Sequence, residues 1–366
     1  MKRKTLGVAV AVAVGMLSTS AFAMTQMAND SNKGSLLIWP RIEADQGKDT
    51  LITLTNDSTQ GVSLKCYYAS SDEMATPFSG DPKKLKHKRD FTIDLTHNQP
   101  ISWWAGSGDA VKSSGKLPDQ VAPPFEYGAG ELKCWAVTVT GDSELHYNHL
   151  YGTASLIDYR SMQAAEYTAV AFQAIGDQSL TGTALGSPGE LLLDNVEYDG
   201  GPVMLLGNFQ PYDFAGAKTR VTLASLNQDL RQNFTPTVTK LTWTFWNQDE
   251  MNRTGNHWCA NSWFETTLPT IDSSYYSLGT ASAYFRIQTT ADTSICAGAK
   301  TSSYVGIIEQ WNGVFSYHHM APSEEMLRPE YDGFYRATGL TGRGKAAAAN
   351  AGSIKWDTEP GDSFKK

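Results

Sequence analysis

From Ser35 onward the chain is written in short runs of β-branched and aromatic residues separated by Asn, Asp, Gly and Pro. The runs "SLLIWPRIEA", "DTLITLTND", "GVSLKCYYAS", "DFTIDLTHNQPISWW", "GELKCWAVTV" and "HLYGTASLIDY" each suit a β-strand. In "DFTIDL", Phe91, Ile93 and Leu95 alternate with Thr92 and Asp94, the period of two that gives a strand one apolar face. Between two runs, Asn56, Asp57, Ser58 and Gly61 favour a turn and hence a hairpin. No window sustains apolar residues at helical spacing over three turns; "SEEMLRPEY" is the one short helix the pattern predicts, ended near Arg328 by Pro329. Many short strands with turn-rich joints predict an antiparallel β-sandwich. An outer-membrane barrel would need longer strands, uniformly apolar outside and girdled by aromatics.

The pattern also repeats. "LKCYYASSDEM" (Leu64 to Met74) returns as "LTWTFWNQDEM" (Leu241 to Met251), and "DTLITLTND" returns as "TRVTLASLNQD". "DFTIDLTHNQPI", "ELKCWAVTVTGD" and "NHLYGTAS" have looser counterparts in "WFETTLPTI", "SAYFRIQTTAD" and "SSYVGIIE", all in the same order. Segments that recur in order mark repeated structural units. The expected fold is therefore all-β, with two tandem, related antiparallel β-sandwich domains of immunoglobulin-like architecture. Their expected bounds are 35–174 and 191–317, joined by a Gly-, Ser- and Thr-rich linker at 175–190 and followed by a polar, partly disordered tail at 318–366.

The beginning of the chain has a different character. Lys2, Arg3 and Lys4 precede an apolar run from Leu6 to Leu17 and the small-residue site Ala21-Phe22-Ala23, which reads as a secretory signal peptide over 1–23 with a short N-terminal extension at 24–34. Export is the expectation, to the periplasm, the cell surface or the medium, with no transmembrane segment after cleavage. A formal charge of −8 argues against nucleic acid as a partner, because phosphate contacts demand a basic surface.

Four cysteines in an exported chain imply disulfides. The repeat selects a pairing: Cys66 aligns with Trp243 and Cys134 with Tyr284, so one repeat lacks both members together, as bonded partners would be lost. Cys66 with Cys134 and Cys259 with Cys296 are the predicted bridges. No C-x-x-C and no zinc-ligand spacing of Cys and His is present, so the thiols are read as structural.

Candidate chemistry is sparse. Asp72-Glu73 and Asp249-Glu250 end equivalent strands, and loop carboxylates can ligate calcium, but neither pair lies in a D-x-D-x-D-G loop; a shared turn is the preferred reading and no metal is expected. "KKLKHKR", Lys83 to Arg89, is a basic cluster read as a solvated loop. Among the aromatics, Trp246, Trp258 and Trp263 lie near loops and are the candidates for a surface platform. H-E-x-x-H, G-x-S-x-G, P-loop and dinucleotide-binding motifs do not occur, so neither enzymatic activity nor a cofactor is expected. These observations predict a secreted or cell-surface protein with a structural, adhesive or protein-assembly role, whose partners are other surface proteins or glycans. The alternatives are a carbohydrate-binding protein using loop aromatics, and a secreted hydrolase with an unrecognised carboxylate site.

Overall fold

The computed structural model describes residues 33–45, 47–70, 87–112, 119–176, 186–191, 193, 197–202, 204–209, 218–226, 228–231, 238–261, 263–271, 278–280, 282–300, 302–312 and 317–321. The expected signal peptide, most of the N-terminal extension, the short helix at "SEEMLRPEY" and residues 322–366 lie outside the described residues.

The protein is all-β. Its strands are β1 (Leu36–Ala44), β2 (Lys48–Asn56), β3 (Val62–Ser70), β4 (His87–Leu95), β5 (Pro100–Trp104), β6 (Gly128–Val137), β7 (Leu150–Asp158), β8 (Gln163–Thr168) and β9 (Val170–Phe172). They continue as β10 (Met204–Phe209), β11 (Lys218–Ser225), β12 (Val238–Asn247), β13 (Asn252–Asn261), β14 (Phe264–Thr267), β15 (Ala283–Thr290), β16 (Tyr304–Asn312) and β17 (Tyr317–Ala321), with one turn of helix, α1 (Leu268–Ile271), after β14. The run "DFTIDLTHNQPISWW" is divided between β4 and β5, because Pro100 and the left-handed Asn98 (φ 49°) make a turn of its middle. The first residues of the expected tail, 318–321, belong to β17 and pair with β16.

The described residues form four antiparallel sheets, with strand orders β4-β3-β6-β1-β9, β5-β2-β7-β8, β13-β12-β15-β10 and β14-β11-β16-β17. Reading β1 to β8 as β10 to β17 turns β4-β3-β6-β1 into β13-β12-β15-β10, and β5-β2-β7-β8 into β14-β11-β16-β17. The first two sheets enclose a core around Trp39, Tyr68, Trp103 and Leu132, in which the Trp103 indole donates to the Tyr68 hydroxyl at 2.8 Å. The other two enclose a second core around Trp243, Phe245, Trp258 and Phe285.

Both bridges form as the repeat predicts. Cys66 and Cys134 are direct cross-strand partners on β3 and β6, with Cα atoms 4.1 Å apart, inside the first core. Cys259 on β13 is joined to Cys296 in the turn after β15. One detail of the alignment is corrected. Across from Trp243 stands Ile287, not Tyr284, and Tyr284 faces Trp246 instead. The Asp142 and Asp292 turns that anchor the sequence match are offset from the strand register by three residues, an odd number that sends Tyr284 to the opposite face of the sheet. The position bridged by Cys66 and Cys134 is therefore filled in the second core by the buried pair Trp243 and Ile287.

Strand β1 is buried on both faces. Leu37 and Trp39 enter the first core, whereas Leu36 and Ile38 join a third apolar cluster with Trp135, Phe172, Leu226, Leu230 and Val305. That cluster is shared between the two pairs of sheets, and so lies at a seam. The register of β1 on β6 breaks between Trp39 and Ile42, at Pro40-Arg41, where proline cannot donate to the ladder. The Tyr167 hydroxyl repairs this break. It accepts the Arg41 N–H at 3.1 Å and donates to the Arg41 carbonyl. The irregularity turns the Arg41 side chain out of its own sheet and towards β11, β14 and β16.

Candidate binding face and the seam between sheet pairs

The three candidate tryptophans have different fates. Trp258 stands opposite Leu241 in the β12–β13 register, points inward and packs on Phe264 at 5.6 Å, with 2% of its surface exposed. Trp263 is also buried, and its indole N–H donates to the Pro40 carbonyl at 2.8 Å. Neither presents a ring to solvent, which corrects the expected platform. The sequence placed them near loops, but Trp258 follows the inward period of β13 and Trp263 lies on the seam.

Trp246 does face outward. Strand β12 alternates Leu241, Trp243 and Phe245 into the core with Thr242, Thr244 and Trp246 on the other side, and β15 alternates Ala283, Phe285 and Ile287 with Tyr284, Arg286 and Gln288. The β10-β15-β12 register puts Asn208, Tyr284 and Trp246 in one cross-strand row, with Arg286 in the next. The Trp246 and Tyr284 rings stack 5.0 Å apart at an interplanar angle of 7°, and the Arg286 guanidinium lies 5.2 Å from the centre of the indole. Among the described residues no carboxylate is paired with Arg286, and its Nε is buried without a hydrogen-bond partner. Tyr284 and Arg286 escaped the sequence reading, although the alternation in "AYFRIQTT" carries them to one face.

The acidic pair Asp249-Glu250 belongs to a turn. Asn247 Oδ1 accepts the backbone N–H groups of Asp249 (3.0 Å) and Met251 (2.9 Å), and Glu250 adopts a left-handed backbone at φ 60°. Among the described residues no three His, Cys, Asp or Glu side chains converge as metal ligands. Asp72 and Glu73 lie outside the described residues, as do Lys83 to Lys86. Lys88 of the same basic cluster is half-buried: its ammonium donates to the carbonyls of Leu230 (3.0 Å) and Arg231, and burial draws its pKa down, whereas Arg89 is exposed.

The seam carries a dense set of ion pairs among the described residues. Arg41, fully buried, bonds Glu265, approaches Glu309 at 3.5 Å, and meets Glu43 at 2.8 Å; Arg220 spans Glu265 and Glu309 from the other side, and Lys48 holds Glu43. Burial opposes the charge of Arg41, but the carboxylates of Glu265, Glu309 and Glu43 outweigh it and hold the guanidinium protonated. Burial likewise opposes the charge of Glu43, and Arg41 with Lys48 outweighs it, so its pKa is lowered. Further along, Lys133 pairs with Glu131 at 2.6 Å and donates to Gln228 Oε1 at 2.6 Å, all three buried. Desolvation pushes Glu131 up and Lys133 down, each towards its neutral form, against their mutual attraction.

The described part of the expected linker is also docked. The Tyr67 hydroxyl donates to the Pro188 carbonyl at 2.9 Å and the Glu144 N–H to the Gly186 carbonyl, and just beyond the linker Leu191 and Leu193 are buried. Glu144 itself is nearly inaccessible. Desolvation first, then Glu197 and Glu190, push its carboxyl up to about 8 against the opposing hydrogen-bond influence of Tyr198.

A cavity of about 130 Å³ opens beside the seam, lined by Glu43, Lys48, Asp49, Asp158, Arg220 and Glu309. Most of this polarity is committed. Asp49 accepts the N–H groups of Thr50 and Gly106, Asp158 those of Arg160 and Ser161, and the remaining groups pair with one another.

No helix among the described residues is long and apolar enough to cross a membrane. No protein-family model matches the chain, and no curated protein shows significant sequence similarity to it.

Proposed function

We propose that this chain is an exported, non-catalytic protein of two related β-sandwich units, serving a structural, adhesive or assembly role at the cell surface. The observation that carries this reading is the seam. A linker would leave two units free to reorient, whereas here the shared apolar cluster, the Arg41 cluster and the Trp263 to Pro40 hydrogen bond tie the two sheet pairs into one body. Such a body suits a rigid spacer or scaffold, and two internal disulfides suit an oxidising compartment. The matching strand orders support duplication of one unit. Cross-linking on intact native cells, followed by mass spectrometry, tests the role. Covalent adducts with other surface proteins are expected. Recovery of the chain without adducts, together with turnover of a polysaccharide or peptide by the purified protein, overturns the reading.

A second reading, glycan binding, is favoured by the outward Trp246, Tyr284 and Arg286. It is compatible with an adhesive role, because the face belongs to the outer side of a sheet and the seam is left intact.

A further inference from the structure

We infer that the outer face of the β10-β15-β12 sheet around Trp246 binds an acidic polysaccharide, with Arg286 receiving a uronate carboxylate; the inference rests on the glycan-binding reading and names its ligand class. On a chain of net charge −8, general electrostatics repel a polyanion, so recognition must come from a local unpaired cation. Arg286 is one. Three other described cations of this half of the molecule and the seam are committed: Arg41 to Glu265, Arg220 to Glu309, Lys240 to Asp292 at 2.8 Å. Arg286 instead lies against an indole, with no carboxylate paired to it among the described residues and with its Nε buried, which leaves its terminal nitrogens to meet a ligand. Guanidinium is planar and matches a carboxylate through two parallel N–H donors.

The surroundings fit a sugar polymer better than a compact anion. Trp246 and Tyr284 form a continuous apolar strip, with the exposed Asn208 and Gln288 at its borders able to meet hydroxyl groups. Aromatic surface beside polar groups accommodates the mixed CH and OH faces of pyranose rings. Among the described residues the site is an open sheet face, and so admits an extended chain without requiring its end. The stacked arrangement also restrains Arg286 before binding, which reduces the ordering cost of taking a ligand.

Binding of the full chain to polygalacturonate, its methyl ester and neutral dextran, measured calorimetrically at two salt concentrations, tests this. The wild type is expected to bind polygalacturonate, and to bind it more weakly at high salt. Methyl esterification, or Arg286→Gln, is expected to weaken binding by about tenfold or more, the loss of a charged hydrogen bond. Arg286→Lys should recover part of it, and Trp246→Ala should weaken binding, with unchanged circular dichroism and melting temperature certifying the fold of each variant. Equal binding of polygalacturonate by wild type and Arg286→Gln overturns the inference. If dextran then binds in a Trp246-dependent way, the broader glycan reading stands without it; absence of binding to all three polymers overturns both.

Discussion

The Trp263 indole N–H meets the Pro40 carbonyl at 2.8 Å, across 223 positions of sequence. Pro40 begins the irregularity of β1, and Trp263 directly precedes β14, so one hydrogen bond links the strand that opens the first sheet pair to the edge of the second. Trp263→Phe keeps most of the ring and leaves that buried carbonyl without its donor. A loss of about 1–3 kcal/mol is expected in urea unfolding. Trp263→Ala should cost more and separate the unfolding of the two sheet pairs, visible as two calorimetric transitions in place of one.

Tyr167 satisfies both backbone groups of Arg41 with one hydroxyl. Tyr167→Phe is nearly isosteric yet orphans a buried N–H and a buried carbonyl together. The expected destabilisation is about 2–4 kcal/mol, larger than for Tyr151→Phe, a control on the exposed face of β7. Equal effects of the two changes in denaturant unfolding would contradict the proposed repair of the break in β1.

Arg41→Ala removes the charge shared by Glu43, Glu265 and Glu309, and leaves carboxylates facing one another at the seam. Breaking a buried ion pair on one side costs about 3–5 kcal/mol. The sign of the pH dependence follows from Glu43, whose folded pKa is lowered: its contribution is present above the unfolded carboxylate range and is lost as pH falls through the folded value. The difference between wild type and Arg41→Ala should therefore hold from pH 7 down to about 4.5, the reference carboxyl value, and narrow as pH falls further. Unfolding curves at intermediate pH values measure it.

Glu144 behaves in the opposite sense. Its carboxyl is pushed up to about 8 in the folded protein from a reference value of 4.5, so the folded state holds a proton that the unfolded state has released. Its favourable contribution is complete below the unfolded value and is lost as pH rises through the folded one, at a slope on the order of 1.4 kcal/mol per pH unit. Glu144→Gln abolishes this slope. The variant should overtake the wild type in stability between pH 5 and pH 8, as read by urea midpoints across that range.

The two cores offer a direct comparison of covalent and apolar fastening. Mass spectrometry of a non-reduced digest should find Cys66 linked to Cys134 and Cys259 to Cys296. Replacing Cys66 and Cys134 by Ala removes a cross-link with a separation of 68 residues, worth about 4 kcal/mol in the chain-entropy account. Trp243→Ala, at the corresponding position of the second core, should cost about 3–5 kcal/mol through lost burial and a residual cavity.

Much of this fold was legible because it depends on local patterns. The alternation of Phe91, Ile93 and Leu95, the run "LKCYY" and its return with Trp243 identify strands and a recurring order, and the paired loss of two cysteines identifies a bridge. The seam was less legible, since it depends on which elements meet. The unbroken "LLIW" of β1 signals burial on both faces, but nothing in it says that one of those faces meets Leu226 and Val305. Trp263 illustrates the same limit: its position beside a loop suggests solvent, and only the arrival of Pro40 encloses it. The binding face failed for a smaller reason, the three-residue slip that hid Tyr284 as a counterpart of Cys134.

The polar content of the seam bears on how the chain reaches its final form. Arg41 meets Glu265 over 224 positions and Lys133 meets Gln228 over 95, so both contacts await segments far along the chain. Pairings at such separation form late, because long loops must close first. A first sheet pair formed ahead of the second would present to water a surface that mixes Leu36 and Ile38 with an arginine, a lysine and carboxylates. Charges that are costly once enclosed would, in such a half-finished molecule, oppose adhesion to its neighbours.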